Sequence, residues 1–251
     1  MGRFLDDCCS HAELETFDAA AFKATPDMPA SVCSFVLALA AVYNDSKDVI
    51  YALQLLRASM PELPPRKCRS WGIYFALDAH LFRIHVGLLH ELFELIKDNK
   101  KVIQSAPFRG LVKQMHRESR QSWRTLVDVA LGSTPADPFG YSLLMARNKI
   151  AFHYDAKRIM RGYEDYFLGP QRRDDRAYIS RGDNLSNSRF YFADAALQAC
   201  AQSVAADCDW QKLVNELQGV FRTVNLALMG VVETFIQRRA GSYRPEGDAV
   251  A

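Results

Sequence analysis

From Ser70 to Asn99 the apolar residues Ile73, Leu77, Leu81, Ile84, Leu88, Leu92 and Leu95 recur three or four positions apart. That period matches the 3.6-residue turn of an α-helix, so one stripe of this roughly 45 Å segment must be buried against neighbours. Ser70 is the expected N-cap. A second amphipathic stretch, Phe108 to Leu131, has the same spacing and stops at the Gly132-Ser133-Thr134-Pro135 loop. A third opens with Asp137 as N-cap and Pro138 in the first turn, and continues to Leu168 before Gly169 and Pro170. Two further helices are predicted over Ala193 to Ala206 and Trp210 to Arg239, and the tail from Gly241 is expected to fray.

Near the amino terminus, Val32 to Tyr43 is the longest apolar-looking run; it contains Cys33 and Ser34 and falls short of the roughly 20 residues a spanning helix needs, so it reads as a core helix. The polar Asn44 to Asp48 interrupts it, and helical spacing resumes to Ala58, which predicts a helix pair or one interrupted helix. Residues 60–69 hold three prolines and a basic cluster and form the expected linker. Long helices joined by short breaks must cover one another's stripes, so the predicted fold class is all-α, a multi-helix bundle forming a single helical domain over 1–251. Residues 171–192 depart from the helical pattern. They give an exposed basic loop or a short β-hairpin near 176–192, followed by the C-terminal helices of 193–240.

With 49% hydrophobic and 24% charged residues and a formal charge of +2, the chain is an ordinary globular one. Its net charge gives no general pull toward nucleic acid or membrane, and any anion site must come from local clustering of Arg and Lys. The six cysteines form no CxxC pair and suggest neither a zinc ribbon nor a disulfide scaffold. His80, His85 and His90 lie five apart and spiral around their helix, unlike an i,i+4 metal pair. HELFE at His90 to Glu94 lacks the second histidine of the zinc-protease motif. No metal and no cofactor are expected. The first residues show neither a signal core nor a transit-peptide composition, so the expectation is a cytoplasmic protein without a membrane partner.

Chemistry concentrates in RNKIAFHYD, Arg147 to Asp155, where Arg147, Asn148, His153, Tyr154 and Asp155 surround apolar Ile150, Ala151 and Phe152. On an unbroken helix, positions six apart are separated by about 9 Å of rise and about 120° of azimuth, so Arg147 and His153 splay. Arg147, Ala151, Tyr154, Arg158 and Arg161 instead share one stripe.

Arg147 and Asn148, four intervening residues and His153 resemble the Arg-polar-x(4)-His motif of HEPN domains. The form is closest to that of abortive-infection-type HEPN proteins, and the likeness covers about nine residues plus the helical setting. It implies a HEPN-like core over 70–168 and a metal-independent endoribonuclease, a toxin-antitoxin or antiphage component, acting on RNA as a homodimer with two motifs facing one cleft.

In that reading His153 is the general acid or base at the 2′-hydroxyl or the leaving oxygen, since imidazole titrates near neutrality. Arg147 binds the scissile phosphate through its planar fork. Asn148 orients either one. Tyr154 and Asp155 support the site, and Arg158, Arg161, Arg172, Arg173 and Arg176 bind RNA phosphates. An antitoxin protein is a further implied partner. One subgroup carries a modifiable tyrosine two residues after the histidine; here that position is Asp155, so control by adenylylation is not expected. The alternative reading is a non-catalytic helical module that binds RNA, a nucleotide or a protein through the same basic face.

Overall fold

A computed structural model describes residues 15–60, 62, 68–132, 156–170, 172–173, 176–180, 189–204, 210–240 and 244–245. Its helices, in chain order, are α1 (Ala30–Ser59), α2 (Arg69–Asp98), α3 (Lys100–Gln104), α4 (Ala106–Gln114), α5 (Arg117–Ala130), α6 (Ala156–Tyr163), α7 (Tyr191–Val204) and α8 (Trp210–Ala240). A 3-10 turn (Ala19–Phe22) precedes α1, and a π-helical turn (Glu164–Leu168) extends α6. The predicted all-α multi-helix bundle is what the chain forms.

Several boundaries differ from those read in the sequence. α1 is one unbroken helix, because Asn44 to Asp48 stays helical and Ser46 is buried at 3% exposure. The propensity cost of these polar residues is at most about 0.7 kcal/mol each, small beside the burial of Val32, Phe35, Val36 and Leu39 on the same helix. At the start of α2, Cys68 takes the capping place expected of Ser70. Its carbonyl accepts from Gly72 N–H at 3.1 Å, and its Sγ accepts from Trp71 N–H at 3.4 Å.

The helix predicted over Phe108 to Leu131 is broken after Gln114. Met115 and His116 adopt extended backbone with ψ 149° and 146°. This turn buries Met115, and Arg120 donates to the Lys113 carbonyl at 3.1 Å, satisfying an acceptor that the end of α4 leaves open. Ser105 caps α4, its Oγ accepting from Phe108 N–H with Pro107 in the first turn. Gly132, at φ 85°, follows α5 in the left-handed conformation that glycine adopts without penalty. Part of the tail is paired: Arg244–Pro245 forms an antiparallel two-residue ladder with Glu15–Thr16.

Spatial contacts divide the chain into two compact units. Unit 1 comprises Met1–Lys47, Leu92–Ser133 and Phe221–Ala251. Its core holds a triad of rings, with Phe35 5.4 Å from Phe108, and Trp123 5.6 Å from Phe108 and 6.4 Å from Phe35. α8 supplies Val224, Leu228, Val231 and Phe235. Within it, Gly219–Ala240 is long and apolar enough to cross a membrane by length and composition, a stretch more extended than Val32 to Tyr43. Arg239 ties this helix to the 3-10 region, donating to the carbonyls of Ala21 at 2.9 Å and Lys23 at 2.7 Å and to Thr25 Oγ1 at 3.1 Å.

Unit 2 comprises Asp48–Glu91 and Thr134–Val220. Here α6 packs on α7, where Gly162 lies against the Ala196 carbonyl and the backbone of Cys200. A β-carbon at Gly162 would meet Cys200 N at 2.8 Å, so glycine permits this approach. Of the expected hairpin, Ser180 and Arg189 form one antiparallel bridge, exchanging N–H···O bonds of 2.8 and 2.9 Å.

Candidate nucleic-acid interface

Arg147, Asn148, His153, Tyr154 and Asp155 lie outside the described residues. Immediately downstream, α6 carries Lys157, Arg158 and Arg161, all exposed. Arg158 and Arg161 are three apart, so their guanidiniums rise from neighbouring positions on one side of the helix. The helix then widens into the π turn, where Gly169 N–H donates to the Glu164 carbonyl at 2.7 Å. Such turns occur often at functional sites.

Arg172, Arg173 and Arg176 are exposed too. Arg173 is held rather than loosely solvated: its N–H donates to the Tyr166 carbonyl at 2.9 Å, and its guanidinium lies 6.0 Å from the centre of the Tyr166 ring. A cation over an aromatic face gains about 0.5–1 kcal/mol at an exposed site and still presents its outer edge to an anion. Arg172 N–H donates to the Gly169 carbonyl at 3.1 Å. Thus Arg172 and Arg173, from the basic loop expected from the sequence, are folded back onto the end of α6, and their positive charge follows that of Arg158 and Arg161 along the chain.

From Tyr166 a row of rings runs through unit 2. Tyr166 is 4.6 Å from Phe167, Phe167 is 4.8 Å from Tyr163, Tyr163 is 6.4 Å from Phe192, and Phe192 is 5.9 Å from Phe190. Phe167 is buried, whereas Phe190 is 67% exposed. From the sequence Phe190, like Tyr178, Tyr191 and Phe192, reads as hairpin core or as a ring on which bases could stack; its exposure places it outside the core.

A second polar cluster was also not apparent from spacing. Arg189 forks onto Asp194, Nε to Oδ2 at 2.9 Å and Nη2 to Oδ1 at 3.3 Å. His80 is held below its ordinary pKa by burial first, then by Arg83 and Arg189, with Asp194 opposing them. Tyr191 is raised above its usual value, chiefly by burial. The only local signal was the five-residue interval from Arg189 to Asp194, which spans the start of α7 and is not a helical pair.

His85 is 1% exposed, and burial pushes its pKa down to about 4, so it is neutral at pH 7 and belongs to the packing of α2. His90 Nδ1 is buried without a hydrogen-bond partner. Among the described residues no His, Cys, Asp and Glu side chains converge to hold a metal ion. No protein-family model, curated protein or solved structure matches this chain.

Proposed function

We propose that the protein is a HEPN-like, metal-independent endoribonuclease whose catalytic pair is Arg147 and His153. The carrying observation is the Arg147-Asn148-x(4)-His153 pattern in an all-helical chain. The exposed Arg158, Arg161, Arg172, Arg173 and Arg176 that follow it supply charge for a polyanionic substrate.

In the proposed reaction His153 accepts the proton of a 2′-hydroxyl, whose oxygen attacks the adjacent phosphorus. The bond to the 5′-oxygen breaks, leaving a 2′,3′-cyclic phosphate, and a protonated histidine returns a proton to the departing oxygen. Arg147 neutralises charge gathering on the non-bridging oxygens, a task suited to a fixed guanidinium fork. Asn148 orients His153 or the phosphate, and Tyr154 and Asp155 hold the pair in place. The six-residue offset splays Arg147 and His153 on a helix, so a second copy of the chain completes the site in a homodimer.

The test is incubation of single-stranded and structured RNA with purified protein in EDTA, beside His153→Ala and Arg147→Ala. Cleavage by the wild type, with loss of at least about a hundredfold in either variant, supports the reading. Wild-type protein that binds RNA without cutting it points instead to a non-catalytic binding module. Equal cutting by wild type and both variants removes this pair from the chemistry.

A further inference from the structure

We propose that Phe190 is a base-stacking residue that, with Ile179 beside it and the arginines of the same loop, receives an unpaired base of single-stranded RNA. The inference rests on the RNA reading above and names the substrate class that unit 2 selects.

A lone exposed phenylalanine would carry nothing, since folded proteins expose many apolar atoms. The surroundings of Phe190 are different. Ser180 and Arg189 form a hydrogen-bonded antiparallel pair, which places the next residues, Ile179 and Phe190, opposite each other. Ile179 is 51% exposed and Phe190 67%, so a cross-strand apolar pair faces solvent.

The neighbours of Phe190 are all anchored. Arg189 is forked onto Asp194. Tyr191 lies against Gly72 and donates its hydroxyl proton to the Arg69 carbonyl at 3.3 Å. Phe192 N–H donates to the Tyr178 carbonyl at 3.2 Å, and its ring continues the aromatic row toward Tyr166. The backbone beneath Phe190 is thus held by its neighbours and its ring meets that of Phe192 at 5.9 Å, so little backbone freedom is lost when another flat ring lies on it.

Charge selects the occupant. Arg172, Arg173 and Arg176 are exposed on the same loop, and Arg173 caps the far end of the aromatic row over Tyr166. A flat apolar surface accompanied by guanidiniums suits a ligand that alternates π-faces with phosphates, which is single-stranded nucleic acid. A duplex hides its base faces and would meet only the arginines.

The probe is a single-stranded oligoribonucleotide containing 2-aminopurine, fully 2′-O-methylated so that it cannot be cut, compared with the same strand annealed to its complement. Wild type should bind the single strand at least about fivefold more tightly than the duplex and change 2-aminopurine fluorescence. Phe190→Ala should weaken single-strand binding about tenfold, leave duplex binding unchanged and keep its melting temperature. Phe190→Trp should restore binding.

Equal binding by wild type and Phe190→Ala overturns the inference, as does an affinity for duplex equal to that for the single strand, or no binding by wild type. Phe190-dependent binding to phosphatidylserine vesicles with RNA binding unaltered also overturns it, in favour of a lipid surface. Cleavage of unmodified RNA is scored separately. His153-dependent cutting with Phe190→Ala behaving as wild type sinks this inference and leaves the nuclease standing. Phe190-dependent binding without any cutting does the reverse.

Discussion

The ring of Tyr191 lies on the bare Cα of Gly72, so close that a β-carbon there would come within 2.7 Å of Tyr191 Cδ1. This contact seats the start of α7 against the first turn of α2. Gly72→Ala should therefore push the ring away and weaken the bond from its hydroxyl to the Arg69 carbonyl. The expected cost is about 1–3 kcal/mol, read as a lowered urea midpoint. Tyr191→Ala in the same chain should recover part of that loss, since the alanine at 72 then has room. Strict additivity of the two changes would contradict the contact.

A second close approach lies within unit 1, where Gly230 of α8 meets Ser119 of α5. A β-carbon at Gly230 would fall 2.9 Å from Ser119 Oγ and 3.1 Å from Met115 Cε. Met115 can swing aside, but Ser119 is short and buried. Gly230→Ala should lower stability by about 1–3 kcal/mol, and Ser119→Gly should relieve most of it. Denaturant titration of the two single variants and the double variant measures the coupling.

His85 makes a prediction in pH. Its folded pKa of about 4 lies below the ordinary 6.5, so folding disfavours its proton. The stability this confers is fully present above pH 6.5 and is lost as pH falls toward 4, to a limit of about 3 kcal/mol. Carboxylates titrate in part of that range, so the informative quantity is the difference between wild type and His85→Gln. Between pH 7 and 4.5 the variant should lose less stability than wild type. Parallel pH profiles would show that His85 does not carry the dependence.

Helical spacing located α2, but its fully buried side is Ala76, Val86, Leu89, Leu92, Phe93 and Ile96; of the stripe read from the sequence only Leu92 is buried, the other six positions being half-buried. What escaped was set by tertiary contact. No proline or glycine marks the break at Met115 and His116; it exists because Met115 turns inward and Arg120 covers the freed carbonyl of Lys113. Likewise Asn44 to Asp48 carries turn chemistry, yet flanking burial holds it in α1. In the candidate interface, the arginines were legible as a cluster, but the seat of Arg173 on Tyr166 was not, because the interval of seven residues crosses a helix end. Phe190 was legible only as a choice between hairpin core and a base-stacking ring, because spacing beside a short strand does not tell which aromatic faces solvent.

Arg161 allows the electrostatic share of the interface to be separated from its chemistry. It is exposed on α6, eight residues beyond His153 in the chain. If it neutralises one phosphate, Arg161→Ala should weaken RNA binding at low salt without selecting among sequences. It should also reduce the slope of log K against log salt by about 0.7, the increment for one phosphate contact on a single strand. Cleavage at saturating RNA should persist, because a phosphate contact remote from the reacting bond affects KM before kcat. A salt slope identical to that of wild type would place Arg161 off the RNA path. A collapse of kcat with KM unchanged would move it from the binding face into the reacting site.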